Sequence, residues 1–209
     1  VETINVTNTA AATLGLGNAT GLTAVNAAGA AGGALTISDI APTVSVSLSD
    51  STQDHTINYS SVAGSSDAAS IAVAGLTGAA DITVAGIEDL SLSFSGTSDS
   101  VEVSAAAATK LTLNGAADTT IASLATAGTD SLTEINASGM TGGLTLTTGA
   151  TDIGSATLTV TGGAGGDPLA VSAAGTRVSV SAGAGDDTVT LGAGDNTVAG
   201  GAGSDILSI

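Results

Sequence analysis

No cysteine occurs among the 209 residues, which excludes a disulfide scaffold and cysteine-ligated zinc. Lys110 and Arg177 are the only basic residues against nineteen acids, for a net charge of −17. A surface that acidic argues against nucleic acid and against an anionic membrane, both of which recruit basic patches. It suits a binder of divalent cations, whose bound ions offset the self-repulsion. Tyr59 and Phe94 are the only aromatics, whereas a globular enzyme core usually draws on aromatic bulk. The apolar 43% is instead Ala, Val, Leu and Ile, which fits a narrow prism of stacked rungs. No apolar run approaches the roughly 18 residues of a membrane helix, so no transmembrane segment is expected.

Catalytic constellations are equally scarce. The one histidine, His55, lies in the polar stretch 51–60 and reads as an exposed loop or strand-end residue. A single histidine cannot make H-E-x-x-H, and there is no G-x-S-x-G elbow. Lys110 follows Ala-Thr and Arg177 lies between Gly-rich blocks, so neither completes a Walker loop. The pairs Glu88-Asp89 and Asp186-Asp187 could in principle do glycosidase work. Without aromatic platforms to stack a sugar they read as solvated turn acids, and the chain reads as a non-enzyme.

What the chain does have is a nine-residue period at its C-terminal end. Residues 182–190 (AGAGDDTVT), 191–199 (LGAGDNTVA) and 200–208 (GGAGSDILS) follow one another without a gap, and 162–170 (GGAGGDPLA) stands upstream. Each approximates G-G-x-G-x-D-x-U-x, with U a large aliphatic, which is the nonapeptide repeat of Ca²⁺-binding parallel β-rolls. The glycines at positions two and four, Gly163, Gly165, Gly183, Gly185, Gly192, Gly194, Gly201 and Gly203, permit positive φ and let carbonyls converge. Position six, Asp167, Asp187, Asn196 and Asp205, supplies hard oxygen to an ion that wants six to eight such ligands. Position eight, Leu169, Val189, Val198 and Leu207, points inward from a short strand.

Two nonapeptides make one coil, so blocks two apart stack. The spacing places Asp187 over Asp205, sharing one ion. Asp167 and Asp187 pair across a coil lengthened by two residues. Asn196 replaces the usual carboxylate and faces the degenerate segment 171–179, so its site is expected to be weak or empty. Pro168 is a second departure from the pattern.

Upstream, alternation announces strands at Val44/Val46/Leu48, Leu90/Leu92/Phe94, Val101/Val103, Leu111/Leu113, Leu144/Leu146, Leu158/Val160 and Val178/Val180. Turns such as 78–81, 96–99 and 115–118 separate them. Helix support is thin: 104–110 and 119–127 could each turn once or twice, but neither has a full amphipathic face. Residues 1–6 echo 87–92, and 22–27 with Gly32-Gly33 echo 132–137 with Gly142-Gly143. Such duplication favours a solenoid. The expected organisation is a body over 1–160, internally duplicated as 1–86 and 87–160, followed by a calcium β-roll over 161–209. Turn acids Asp50, Asp54, Asp81, Asp99, Asp118, Asp130 and Asp152 are further candidate ligands, though no spacing singles one out. Val1 is not an initiator methionine and the chain stops in mid-repeat, so it reads as an internal piece of a longer protein.

The four nonapeptide blocks resemble the repeats of the RTX family. The Ala/Thr/Ser/Gly-rich body before them resembles RTX-bearing surface-layer (S-layer) proteins of Gram-negative bacteria. The resemblance implies an all-β fold, a right-handed parallel β-solenoid ending in an RTX-type β-roll, the hand also being the usual one for crossovers. It implies Ca²⁺ as the bound ion and type I secretion unfolded, with folding on the cell exterior. Self-association into a surface lattice follows, as does contact with cell-surface polysaccharide through other parts of such a protein. Two alternatives share the repeats: the noncatalytic region of a secreted protease or lipase, and a binding module of an RTX adhesin with Thr-rich faces such as 157–161.

Overall fold

The alternation of apolar and hydroxylated residues becomes a ladder. In the computed structural model, which describes residues 2–7, 10–29, 33–125, 132–149, 157–172 and 177–209, Leu90, Leu111, Ile135, Val160, Val180 and Val198 pair in unbroken register. Each belongs to the next strand on one side of the molecule. All but Val198 are almost completely buried, and Val198 packs partly buried against the same core.

The described residues form strands and turns and no helix. The first half contains β1 (Thr3–Val6), β2 (Ala12–Gly15), β3 (Ala24–Ala28), β4 (Leu35–Ile40), β5 (Ser45–Ser49), β6 (His55–Tyr59), β7 (Ala68–Ala74), β8 (Ala80–Ala85), β9 (Asp89–Ser95) and β10 (Ser98–Ala105). The second half contains β11 (Lys110–Gly115), β12 (Asp118–Ala125), β13 (Glu134–Met140), β14 (Leu144–Thr148), β15 (Leu158–Thr161), β16 (Pro168–Val171), β17 (Val178–Ala184), β18 (Thr188–Leu191), β19 (Thr197–Ala202) and β20 (Ile206–Ser208).

Odd-numbered strands make one ten-stranded sheet and even-numbered strands another, each in sequence order. The pairings are parallel in both sheets. This is a parallel β-solenoid, in which the chain alternates between two walls and buries apolar rows from both. Continuous burial on one face and hydroxyls on the other explain why Val, Leu and Ile alternate with Ser and Thr.

Coil length varies in the body and is shortest at the C-terminal end. Asp54 and Asp81 meet across twenty-seven residues, Asp167 and Asp187 across twenty, and Asp187 and Asp205 across eighteen. Only the last coil has the strict length of two nonapeptides. Both pairs of echoing segments form strands of the odd-numbered sheet, β1 with β9 and β3 with β13. Val1 and Gly32 of that echo lie outside the described residues.

The thin helix support at 104–110 and 119–127 matches the structure: residues 119–125 belong to strand β12, 104–110 run from the end of β10 through a turn into β11, and 126–127 lie outside the described residues. Two expectations are corrected. Leu207 pairs with the buried Val189, yet is 50% exposed, because β20 is paired on one side only. His55 is buried, since it pairs in register with Leu35 and Ile82 on an inward row of the even-numbered sheet.

Candidate metal centre

The nonapeptide turns are built by glycine. Gly183 and Gly201 occupy φ of 119° and 110°, and they pair with each other across adjacent coils. A Cβ on Gly201 would collide with the Gly183 carbonyl oxygen, and one on Gly183 with the Gly163 carbonyl oxygen. The same relation links Gly203 to the Gly185 carbonyl and Gly185 to the Gly165 carbonyl. Successive turns therefore present a column of carbonyl oxygens at a spacing that only a side-chain-free backbone tolerates. Ala184 N–H donates to Gly163 O at 3.0 Å and Gly185 N–H to Ala202 O at 2.7 Å, which fixes the turns on one another.

Alongside runs a column of aspartates. Asp167 is fully buried; its Oδ1 accepts from Leu144 N–H at 2.9 Å and its Oδ2 from Gly163 N–H at 2.8 Å. Asp187 is also buried, and its Oδ1 accepts from Asp167 N–H at 2.8 Å. Asp205 is exposed, and its Oδ1 accepts from Asp187 N–H at 3.1 Å. Asp186 reaches the opposite way, accepting from Ser204 N–H at 2.8 Å. The reading of Asp186-Asp187 as solvated turn acids thus fails for Asp187, which the stacked coils enclose. Burial pushes the Asp167 carboxyl above the usual carboxylate range; the amides of Gly163 and Leu144 oppose that rise and the neighbouring Asp187 charge adds to it.

The remaining block lies on the other turn. Asn196 Oδ1 accepts from Val178 N–H at 3.1 Å, and its Nδ2 donates to Gly192 O at 2.8 Å. The amide closes its own turn by a donation that a carboxylate could not make. Gly194 has φ of 153°, and the adjacent Asp195 pairs with Arg177 at 3.8 Å between exposed side chains.

Oxygen chemistry of this kind fits Ca²⁺. The Asp187 Oδ2 is buried with no hydrogen-bond partner, a costly arrangement for a carboxylate unless a cation or proton completes it. The turn that leads to it runs through Gly183 and Gly185, where a Cβ would meet the Gly163 and Gly165 carbonyl oxygens. Among the described residues no three His, Cys, Asp or Glu side chains cluster. A metal at these turns would therefore take most of its ligands from backbone carbonyls, which suits Ca²⁺ and not zinc.

Of the other turn acids, Asp54 Oδ1 accepts from Asp81 N–H at 3.2 Å and Asp118 Oδ1 from Gly143 N–H at 2.9 Å. Asp50 sits at φ 52°. Asp130 and Asp152 lie outside the described residues. Glu88 accepts from Asp67 N–H at 2.8 Å. Asp99 differs from these acids in being almost completely buried. Its sequence signal was only the turn glycine Gly96 three residues before it.

Residues 179–207 match the family described as RTX calcium-binding nonapeptide repeat (4 copies). Such repeats bind Ca²⁺ in a β-roll of a structural, noncatalytic kind, and proteins that carry them are typically secreted. The block at 162–170 lies upstream of the matched span, although Asp167 stacks on Asp187. No curated protein and no solved structure matches the chain. Among the described residues no helix is long and apolar enough to cross a membrane.

Proposed function

We propose that the chain is a structural segment of a calcium-dependent surface-layer protein or a similar cell-surface protein, which folds and self-assembles outside the cell when Ca²⁺ arrives. The observation that supports this most directly is continuity. The turns of Asp167, Asp187 and Asp205 border the same two sheets that run back to β1 and β2. In a solenoid each coil buries its face on the next, so order gained at one end spreads to its neighbours.

Charge makes that order conditional. At −17 the acids of adjacent coils repel one another when no cation is present. An ion bound only by the folded state stabilises it by about 2.7 kcal/mol at a hundredfold excess over Kd. Meanwhile the outward strand positions carry hydroxyls, as with Ser91 and Ser93 on β9 and Thr159 on β15. Rows of hydroxyls of this kind suit lateral contact between copies.

The test is a calcium titration followed by far-UV circular dichroism and light scattering in the same samples, alongside Asp187→Ala/Asp205→Ala. The reading expects β signal to rise with Ca²⁺, scattering to grow into sheets, and the double variant to respond less. Folding that ends in a monodisperse particle would instead favour a secreted-enzyme or adhesin region. A fragment already folded in chelator and indifferent to Ca²⁺ would remove the basis of the proposal.

A further inference from the structure

Two backbone amides of the roll are held in the same way by different side chains. Asp187 N–H donates to Asp205 Oδ1 at 3.1 Å, and Val178 N–H donates to Asn196 Oδ1 at 3.1 Å, each eighteen residues on. Both bonds join the same two coils, at opposite corners: one corner leads from the odd-numbered sheet to the even-numbered one, and the other leads back. Asn196 does what a carboxylate cannot. Its Nδ2 donates to Gly192 O at 2.8 Å, and Gly192 N–H donates in turn to Val171 O at 3.3 Å. The carboxamide thus uses donor and acceptor at once, and its corner is tied to the preceding coil at both Val171 and Val178.

Charge separates the corners further. Residues 171–178 and 191–197 together carry one acid, Asp195, and one base, Arg177, which lie 3.8 Å apart. An exposed pair of that kind adds little by itself, but it leaves this corner without net charge. The other corner holds Asp167, Asp186, Asp187 and Asp205, and the chain's remaining base, Lys110, is paired with Glu134. Carboxylates on three stacked turns repel one another, and Asp187 Oδ2 is buried with no partner. Only that corner needs a cation to close.

We propose that Asn196 makes its corner a clasp that forms without Ca²⁺, so that the ion acts on one edge of the roll only. In chelator the coils of β17 and β19 stay joined through Asn196, while the turns of Asp167, Asp187 and Asp205 are open. Ca²⁺ then closes coils that are already held in register, as a hinge closes, instead of assembling them from free chain. The inference rests on the contacts of Asn196 and not on lattice formation.

Amide hydrogen exchange, followed residue by residue by NMR on the full 209-residue chain, reads the two corners apart. In chelator Val178 N–H is expected to be about a hundredfold better protected than Asp187 N–H, since each reports the opening of its own corner. Saturating Ca²⁺ should raise protection at Asp187 and leave Val178 within about threefold of its value in chelator. Asn196→Asp keeps the acceptor for Val178 N–H and the side-chain volume, but removes the donor to Gly192 O and adds a charge beside Asp195. Protection at Val178 in chelator should then fall about tenfold, a loss of roughly 1.4 kcal/mol. Equal protection of the two amides in chelator, whether high or low, overturns the clasp, and so does an unchanged Val178 in Asn196→Asp. If Asn196→Asp does not fold, the comparison of the two amides in the unmodified chain decides the matter. Light scattering in Ca²⁺ reads assembly separately, so its failure leaves the result at Val178 standing.

Discussion

The backbone N–H of Asp187 donates to the side chain of Asp205, eighteen residues later, at 3.1 Å. One carboxylate thus has two duties, closing a coil and presenting oxygen to an ion. Substitutions can separate them. Asp205→Asn keeps an acceptor and should leave stability in chelator within about 0.5 kcal/mol, while raising the Ca²⁺ midpoint of folding about tenfold or more. Asp205→Ala also removes the acceptor and should cost about 1 kcal/mol further. Urea unfolding in chelator and at saturating Ca²⁺ reads the two effects apart.

Gly183 and Gly21 both have positive φ, but only Gly183 is crowded, with the Gly163 carbonyl where a Cβ would stand. Gly21→Ala, with nothing within 4 Å of the added carbon, should cost about 1–2 kcal/mol from backbone conformation alone. Gly183→Ala adds displacement of the preceding turn and should cost about 3 kcal/mol or more. It should also abolish the Ca²⁺ response of the roll. Thermal unfolding of the two variants with and without Ca²⁺ gives the comparison.

His55 is buried with both ring nitrogens unpartnered. Burial lowers its pKa below 6.5, with the nearby Asp54 charge opposing the shift. A base whose folded pKa is depressed contributes its full stability above pH 6.5 and loses it as pH falls through the lowered value. Replacing it with Leu removes two unpaired polar atoms from an apolar row, so His55→Leu should be neutral or stabilising at pH 7. It should also abolish the loss of stability below pH 6.5, measured by denaturant unfolding between pH 5 and 8.

Asp99 and Asp167 titrate in the opposite sense. Burial raises both above 3.8, against the amides of Leu76 and Gly75 at Asp99 and of Gly163 and Leu144 at Asp167. The folded state therefore holds their protons more tightly than the unfolded chain. That contribution is full below 3.8 and is lost as pH rises through the raised values. In chelator and in the His55→Leu background, stability should fall as pH rises above about 4. The slope per group should not exceed about 1.4 kcal/mol per pH unit. Saturating Ca²⁺, which competes with the proton, should flatten or reverse it.

Much of this molecule can be read from periodicity alone. The alternation at Leu90, Leu111 and Val180 announces strands because a half-buried wall demands it. The nine-residue period announces the stacking of Asp187 on Asp205 because each coil is two blocks long. What stays hidden depends on partners distant in sequence. His55 sits in a polar stretch, and only register with Leu35 and Ile82 turns it inward. Asp99 resembles every other turn acid until register with Thr119 and the Leu76 amide turn it inward. Coils of twenty to twenty-seven residues in the body break the period that would have revealed these contacts.

Those unequal coils have one more consequence. A loop of twenty-seven residues and one of eighteen climb the axis by the same step, about 4.8 Å, because strand pairing fixes the rise. Height is therefore counted in whole steps, whatever the amount of chain spent on each. Insertions in the body decorate the flanks without moving the ends apart, whereas gain or loss of a complete turn shifts everything beyond it by one tread of the staircase.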